Sequence, residues 1–536
     1  MKSPISLLCH DLLDRILWLS TDRAKCALTL THVCHFWRMV ALSQPCLWHS
    51  ITVVNDFKSY ALTPAFATDN VAHHTPEGPA FPHSGYGLLQ HCIYYSKGLV
   101  LDVTVQLQMP SSLARGNEAY PGVYPVYHNH SKTIGRIVSL AATRIRSLRL
   151  ECDCYIAAQW FFDGLRLVGD CWLQLRDCHI EWTSPNAFEG IHPQARAGPI
   201  VWMTPVSPPR QVLRYQARTG ILTPSHPFPQ LKVLYLRGLA VDWYTFSPSS
   251  LEELHIWDMD ATITPSFEQL RSILVANAGT LKVLVLSKFD PRVATTELRR
   301  FSLPYLRTLQ LGYTDPQEFG ALTDMLWTPR LKKLVIHNLR GSEGLETQDD
   351  YDNTLLLFEG LEAVCDFSRL EFLELVDVHF MENQRLPNPI DFITSTNGSP
   401  SSLLPPPHIP LEFLQSCQKL NTLVLTRPDH ATLWSLNCPI DMETNATSIW
   451  SFPTPRLRHL HITGLDASSI EAFLWERCGV KKAWSTATWW SDDSPKFNLV
   501  LRDLDRLIKF SGLKTVLQCI SQHKIEDRTR KTPGIV

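Results

Sequence analysis

Leucines recur along the chain in one short pattern: Leu, two residues, Leu, one residue, then Leu or Ile. It reads LKVLYL from 231, LEELHI from 251, LKVLVL from 281, LRTLQL from 306, LKKLVI from 331, LEFLEL from 370 and LRHLHI from 457. NTLVL after Leu420 and a weaker IRSLRL from 145 complete the set. Apolar residues at the fourth and sixth positions alternate with polar ones, the period of a strand that buries one face. The first Leu starts the buried turn that leads into it. From 231 onward, successive starts lie 20, 30, 25, 25, 39, 50 and 37 residues apart, room for a helix or loop but not for an inserted domain. PSFEQLRSILVANAG, ahead of the strand from 281, has helical spacing, with Pro265 near its start and Gly279 past its last turn. A strand, a helix-bearing connection and a strand again make the unit of a parallel solenoid, whose repeats bury their apolar faces only against one another. A doubly wound α/β domain uses the same alternation. No glycine-rich phosphate loop follows any of these strands, which argues against it.

Outside the repeats the pattern is looser. GLVLDVTVQL (98–107) predicts a further strand, while LTPAFATDNVAHHTPEGPAFPHSGYG reads as turns and coil. The Pro-, Ser- and Asn-rich segment 381–410 predicts a long surface loop, and the tail from about 521 is polar. At the front, LLCHDLLDRILWLS predicts an amphipathic helix with Leu8, Leu12, Leu13, Ile16 and Leu17 on its apolar side. STDRAKCALTL predicts a second helix capped by Ser20 or Thr21, and THVCHFWRMVALS a third with residues 33, 37, 40 and 41 on one face. Three such helices span too little chain to form a self-sufficient core, so another protein is expected to complete it. The expected division is residues 1–52, a helical module; 53–140, an irregular connecting region with the first strand; 141–480, the solenoid; and 481–536, a C-terminal cap and polar tail.

Composition narrows the function. Lys and Arg total 50 against 52 Asp and Glu, so there is no broad basic field and no nucleic-acid partner is expected. Asp11, Asp14 and Arg15 break the apolar run at the N-terminus, and no stretch of about 18 uncharged apolar residues follows, so neither a secretory signal nor a membrane partner is expected. The expected location is the cytoplasm or nucleus. The 14 scattered cysteines fit buried reduced thiols, and the sequons at Asn129, Asn397 and Asn445 then carry little weight. Cys152, Cys154, Cys171, Cys178 and His179 come nearest to a metal set, but without a C-x-x-C pair. ETQDDYDN at 346–353 lacks the Gly and distal Glu of a calcium loop and reads as a solvated loop. With no nucleophile, zinc-protease or phosphate-loop motif, no enzyme, metal or cofactor is expected.

Residues 7–51 resemble an F-box. LCHDLLDRIL at 8–17 follows that family's L-P-x-E-[LI]-L-x-x-I-[FL], VCHFWR at 33–38 its V-C-[RK]-x-W-R, and PCLW at 45–48 its closing x-x-L-W, with Cys9 standing where the family has Pro. The remainder resembles fungal F-box proteins with degenerate leucine-rich repeats. The ninth repeat position, Asn or Cys in that family, is here Leu239, Met259, Phe289, Thr314, Leu339, Val378, Pro428 and Leu465. The resemblance implies an α/β chain: a three-helix F-box, then an irregular leucine-rich-repeat-like solenoid of parallel strands in an arc or horseshoe. It implies a substrate-recognition adaptor of a Skp/cullin/F-box ubiquitin ligase that catalyses nothing itself. Leu8, Leu12, Ile16, Val33, Cys34 and Leu47 would face a Skp-type adaptor, and through it a cullin, while Trp37 and Trp48 would hold the helices together. A protein substrate would meet the strand residues between the leucines, with Tyr235, Arg237, His255 and Trp257 the candidate patch and His337 a further candidate. The alternative is a repeat scaffold whose F-box-like segment only caps the solenoid.

Overall fold

Each of the leucine patterns folds as a short strand, because only an extended chain puts its fourth and sixth residues on one side. The computed structural model describes residues 12, 15, 31–32, 34–56, 86–108, 123–153, 155–165, 172–182, 228–239, 243, 248–259, 264–288, 300–316, 320, 322–323, 326–340, 348–380, 408–437, 440–444, 447–451, 456–463 and 498–501. Two compact units divide the chain, residues 1–280 and 281–536.

The first unit runs α1 (His35–Ser43), β1 (Ser50–Asp56), α2 (Tyr86–Tyr95), β2 (Leu101–Gln108), α3 (Val123–Ser139), β3 (Ile145–Cys152), α4 (Tyr155–Leu165), β4 (Asp177–Trp182), β5 (Val233–Arg237), β6 (Glu253–Trp257) and α5 (Phe267–Ala276). Strands β1 to β6 each pair in parallel with the next in sequence. The second unit runs β7 (Val283–Ser287), β8 (Phe301–Ser302), β9 (Thr308–Tyr313), β10 (Leu326–Trp327), β11 (Lys333–Asn338), α6 (Gln348–Val364), β12 (Phe372–Val376), α7 (His408–Ser416), β13 (Thr422–Thr426), α8 (His430–Asn437), β14 (Ile440–Thr444), β15 (Thr447–Ser451), β16 (His459–Thr463) and β17 (Asn498–Leu501). Its main ladder is β7-β9-β11-β12-β13-β16-β17, all parallel. A short parallel pair β8–β10 and an antiparallel hairpin β14–β15 stand apart from it. Within each unit the order follows the sequence without reversal, so neither has the switch point of a doubly wound sheet. This is a mixed α/β, solenoid-like fold.

The repeat is visible atom by atom. Its three leucine positions are fully buried, as in Leu231, Leu234 and Leu236 or Leu281, Leu284 and Leu286. The carbonyl of the second position takes two backbone N–H groups of the following repeat: Lys232 accepts from Glu252 (2.7 Å) and Glu253 (2.9 Å), and Lys282 from Arg307 (2.8 Å) and Thr308 (3.0 Å). No Asn occupies the ninth position, and the turn is made at the eighth. There Gly238, Asp258, Lys288, Asp377 and Arg427 take φ values of 69°, 49°, 49°, 54° and 50°. The N–H of Gly238 continues the ladder to the Trp257 carbonyl (2.9 Å), and that of Lys288 to Gly312 (2.7 Å). At Tyr313 and Asn338 that twist is missing and the strand simply runs one residue longer.

Several sequence-based boundaries shift. The ladder begins at Ser50, so residues 53–140 hold, besides the strand expected at 98–107, which is β2, most of β1 and helices α2 and α3. β1 escaped the leucine pattern because Trp48 and Ile51 fill its inward positions, and both are buried. β4 was missed for the same reason: Leu175, Cys178 and Ile180 keep the spacing, with Cys in place of the middle Leu. Within 481–536, Asn498–Leu501 adds one more strand to the second ladder. From Gln348 the acidic stretch at 346–353 is the start of α6, where carboxylates suit the helix dipole, and not a loop. His408 likewise begins α7 inside the segment expected to be loop to 410. The third N-terminal helix starts only at His35, because Cys34 is extended (φ −161°, ψ 169°). Most of the first two predicted helices, and the tail from 521, lie outside the described residues. Among the described residues no helix is long and apolar enough to cross a membrane.

Candidate functional site

Strand alternation sends the third, fifth and seventh repeat positions to the face opposite the buried leucines. Parallel pairing without slippage from β3 to β6 lines them up in rows. One row is Ser147, Asp177, Val233 and Glu253; the next Arg149, His179, Tyr235 and His255; the third Glu151, Glu181, Arg237 and Trp257. Tyr235, Arg237, His255 and Trp257 are therefore neighbours, as the spacing of the leucines predicts. His337 belongs to the second unit, in register with Gly312 and Val376, and has no part in this cluster.

The middle row is a stack of rings. His179 lies 5.4 Å from Tyr235 at 20° between planes, and Tyr235 lies 5.8 Å from His255 at 39°. Trp257 adds a third contact to the Tyr235 ring at 6.4 Å. Beside the stack runs a chain of alternating charge. Arg149 Nε meets Glu151 at 2.6 Å, Gln106 donates to the same carboxylate at 2.7 Å, and Arg237 bridges Glu181 and Asp258 at 3.0 Å each. Burial lowers the His179 and His255 pKa values, with Arg149 pushing His179 further in that direction, so both rings are neutral at pH 7. Burial also raises Tyr235 and Asp177. For Arg237 burial opposes the charge, but the bonds to Asp258 and Glu181 outweigh it and the guanidinium is held above its usual value. His179, Glu181 and Asp177 were not among the predicted site residues. Reading Cys178 as an apolar equivalent of Leu would have placed all three.

The cysteines near this face do not converge on a metal. Cys178 points into the core and His179 to the opposite side of the same strand, and Cys152 donates to the Glu181 carbonyl at 3.5 Å. Cys154 and Cys171 lie outside the described residues. Among the described residues no group of three His, Cys, Asp or Glu could hold a metal ion.

At the N-terminus the predicted adaptor-facing residues divide. Leu8, Ile16 and Val33 lie outside the described residues. Leu12 is 51% exposed and Cys34 is exposed. Leu47 is only 3% exposed and sits in the chain's own core, so it offers no surface to another protein. The reason is its neighbour. Trp48 takes the place of the first Leu of the β1 repeat, donates from Nε1 to the Ala41 carbonyl at 2.8 Å and packs on Tyr95 of α2 at 5.6 Å. Trp48 thus ties α1 to the ladder. Phe36 (42%) and Met39 (56%) stay open on α1, while Val40 and Ala41 are buried. No protein-family model matches the chain, and no curated protein matches it.

Proposed function

We propose that this chain is the substrate-recognition subunit of a Skp/cullin/F-box ubiquitin ligase, with an F-box at the front and a leucine-rich-repeat-like arc behind it that presents the substrate face. The observation that carries the reading is α1. It seats Val40 and Ala41 on its own chain and leaves Phe36 and Met39 exposed, in a segment that bears the F-box pattern. Apolar side chains left open on a short helix are what an adaptor groove takes up. Phe36 and Met39 therefore join Leu12 and Cys34 as adaptor-facing residues. Co-purification with a Skp-type adaptor tests this: the wild-type chain should capture it, and Leu12→Asp with Met39→Asp should abolish capture without unfolding the repeats. Capture unaffected by both changes, or absent from the wild type, overturns the proposal.

One observation favours the alternative of a scaffold with an N-terminal cap, namely the burial of Leu47 and Trp48 against the first strands. Deleting residues 1–34 separates the two, since α1 and Trp48 remain. The adaptor reading expects lost capture at an unchanged denaturation midpoint, whereas the cap reading expects a lowered midpoint.

A further inference from the structure

The strand face of the first unit carries a charge asymmetry that its ion-pair pattern makes plain. Arg149 is held by Glu151, and Arg237 by Glu181 and Asp258. Below the ring stack, Arg146 is held by Asp102 at 3.0 Å, and Lys232 pairs with Glu252. Each of these cations is taken up by carboxylates of the same face, while Arg176, in the row of Arg146 and Lys232, is exposed and makes no ion pair with a described residue. Two carboxylates remain. Asp177 and Glu253 are the register partners of Val233 on either side, so about 10 Å separates their Cα atoms across β5. Asp177 makes no ion pair with a described residue, and His179, Arg146 and Arg176 act on it only through space. Glu253, 44% exposed, reaches only the imidazole of His255 at 3.5 Å. Between the two acids lies the uncharged Val233, and directly above it in the next row the Tyr235 ring, with His179 against one side and His255 against the other.

We propose that this face holds a basic side chain, arginine or lysine, of a protein partner, with its charge over Val233 between Asp177 and Glu253 and its stem along the Tyr235 ring. The gap between the carboxylates suits one ammonium or guanidinium group, and the outer edges of the stacked rings give apolar cover for its methylenes. A phosphorylated or acidic segment would meet the two open carboxylates beside the one exposed guanidinium of Arg176, and is disfavoured. The inference rests on the reading of this face as the substrate surface and narrows it to a substrate presenting a basic segment.

Fluorescence anisotropy with the full chain and the labelled octapeptides (Gly-Arg)4, (Gly-Lys)4, (Gly-Glu)4 and (Gly-Ser)4 at about 0.15 M salt tests it. The two basic peptides should bind and the other two should not. Asp177→Asn with Glu253→Gln, both isosteric, should weaken (Gly-Arg)4 at least about tenfold, and Tyr235→Ser should weaken it while Tyr235→Phe holds it within about twofold. Glu371→Gln with Glu374→Gln removes the same charge from the second unit and should leave affinity within about twofold. No binding of either basic peptide up to about 1 mM, equal binding of (Gly-Glu)4, or equal weakening by the second-unit pair overturns the proposal. Adaptor capture measured on the same variants should persist. Failed peptide binding with intact capture therefore counts against this site alone, and failed capture with intact peptide binding against the ligase assignment alone.

Discussion

Asn277 is 1% exposed, yet its side-chain amide is fully used: Oδ1 accepts from the Leu251 N–H at 2.7 Å, and Nδ2 donates to the carbonyls of Pro248 and Ile273, each at 2.7 Å. One residue at the end of α5 thus closes that helix and holds the chain as it turns into β6. A buried polar group costs stability only when its partners are missing. Asn277→Ala leaves the Leu251 N–H and the Pro248 carbonyl unpaired and should lower unfolding free energy by about 3 kcal/mol, read from urea denaturation. Asp429 works in the same way in the second unit, accepting from the Phe380 N–H at 2.6 Å and from the Thr432 N–H at 2.8 Å ahead of α8. Neither residue stands where the repeat pattern would direct attention. Polar groups that serve backbone atoms far along the chain leave no periodic trace.

At the scale of elements, α5 was legible and α3 with α4 were not. Ser266 and Gln269 form a capping box at the start of α5, the Gln269 N–H donating to Ser266 Oγ at 3.3 Å and the Ser266 N–H to Gln269 Oε1 at 2.7 Å. The helix opens one residue past the cap, right after Pro265, as its sequence suggests. Helices α3 and α4 depend instead on close approach. A Cβ at Gly135 would lie 2.1 Å from the Phe161 carbonyl oxygen, and one at Gly164 would lie 2.1 Å from that of Lys132. Because the obstacle is backbone on both sides, a methyl group must push the helices apart. Gly135→Ala should cost about 3 kcal/mol in the same denaturation measurement, and Gly164→Ala a similar amount, although Ala is the better helix former by about 1 kcal/mol. A packing loss that exceeds the propensity gain in both variants would locate the cause between the helices.

Across the whole molecule, the structure describes seven of the 14 cysteines, and the five buried ones bear on how the inside is built. Burial pushes the Cys92 and Cys417 thiols up to about 12 and Cys365 to about 11, and raises Cys178 as well. Such thiols carry almost no thiolate at neutral pH and act as small apolar groups. Alkylation of the native chain followed by peptide mapping should modify Cys34 and Cys46, both exposed, and modify Cys92, Cys178, Cys365 and Cys417 at least about a hundredfold more slowly until denaturant is added. Rapid labelling of Cys178 would mean that β4 does not hold its place in the ladder.

Strand period was written in the residues themselves: wherever Leu, Leu and Leu or Ile kept their spacing, a parallel strand followed, because alternation is a property of the extended backbone and needs no knowledge of its neighbours. That same period aligned Tyr235 with His255 and Arg237 with Trp257 once adjacent strands paired in step. Contacts between distant parts of the chain were decided only by the tertiary structure. Trp48, read as a residue that holds small helices together, is the first inward position of the ladder and draws Leu47 into the core with it. Asp177 and Glu253 lie 76 positions apart by their numbers, yet they flank one valine because β4, β5 and β6 are neighbours. That neither is held in an ion pair by an arginine or lysine among the described residues is a fact of space, since pairing depends on which charges register brings within a few ångströms, and no local pattern records that.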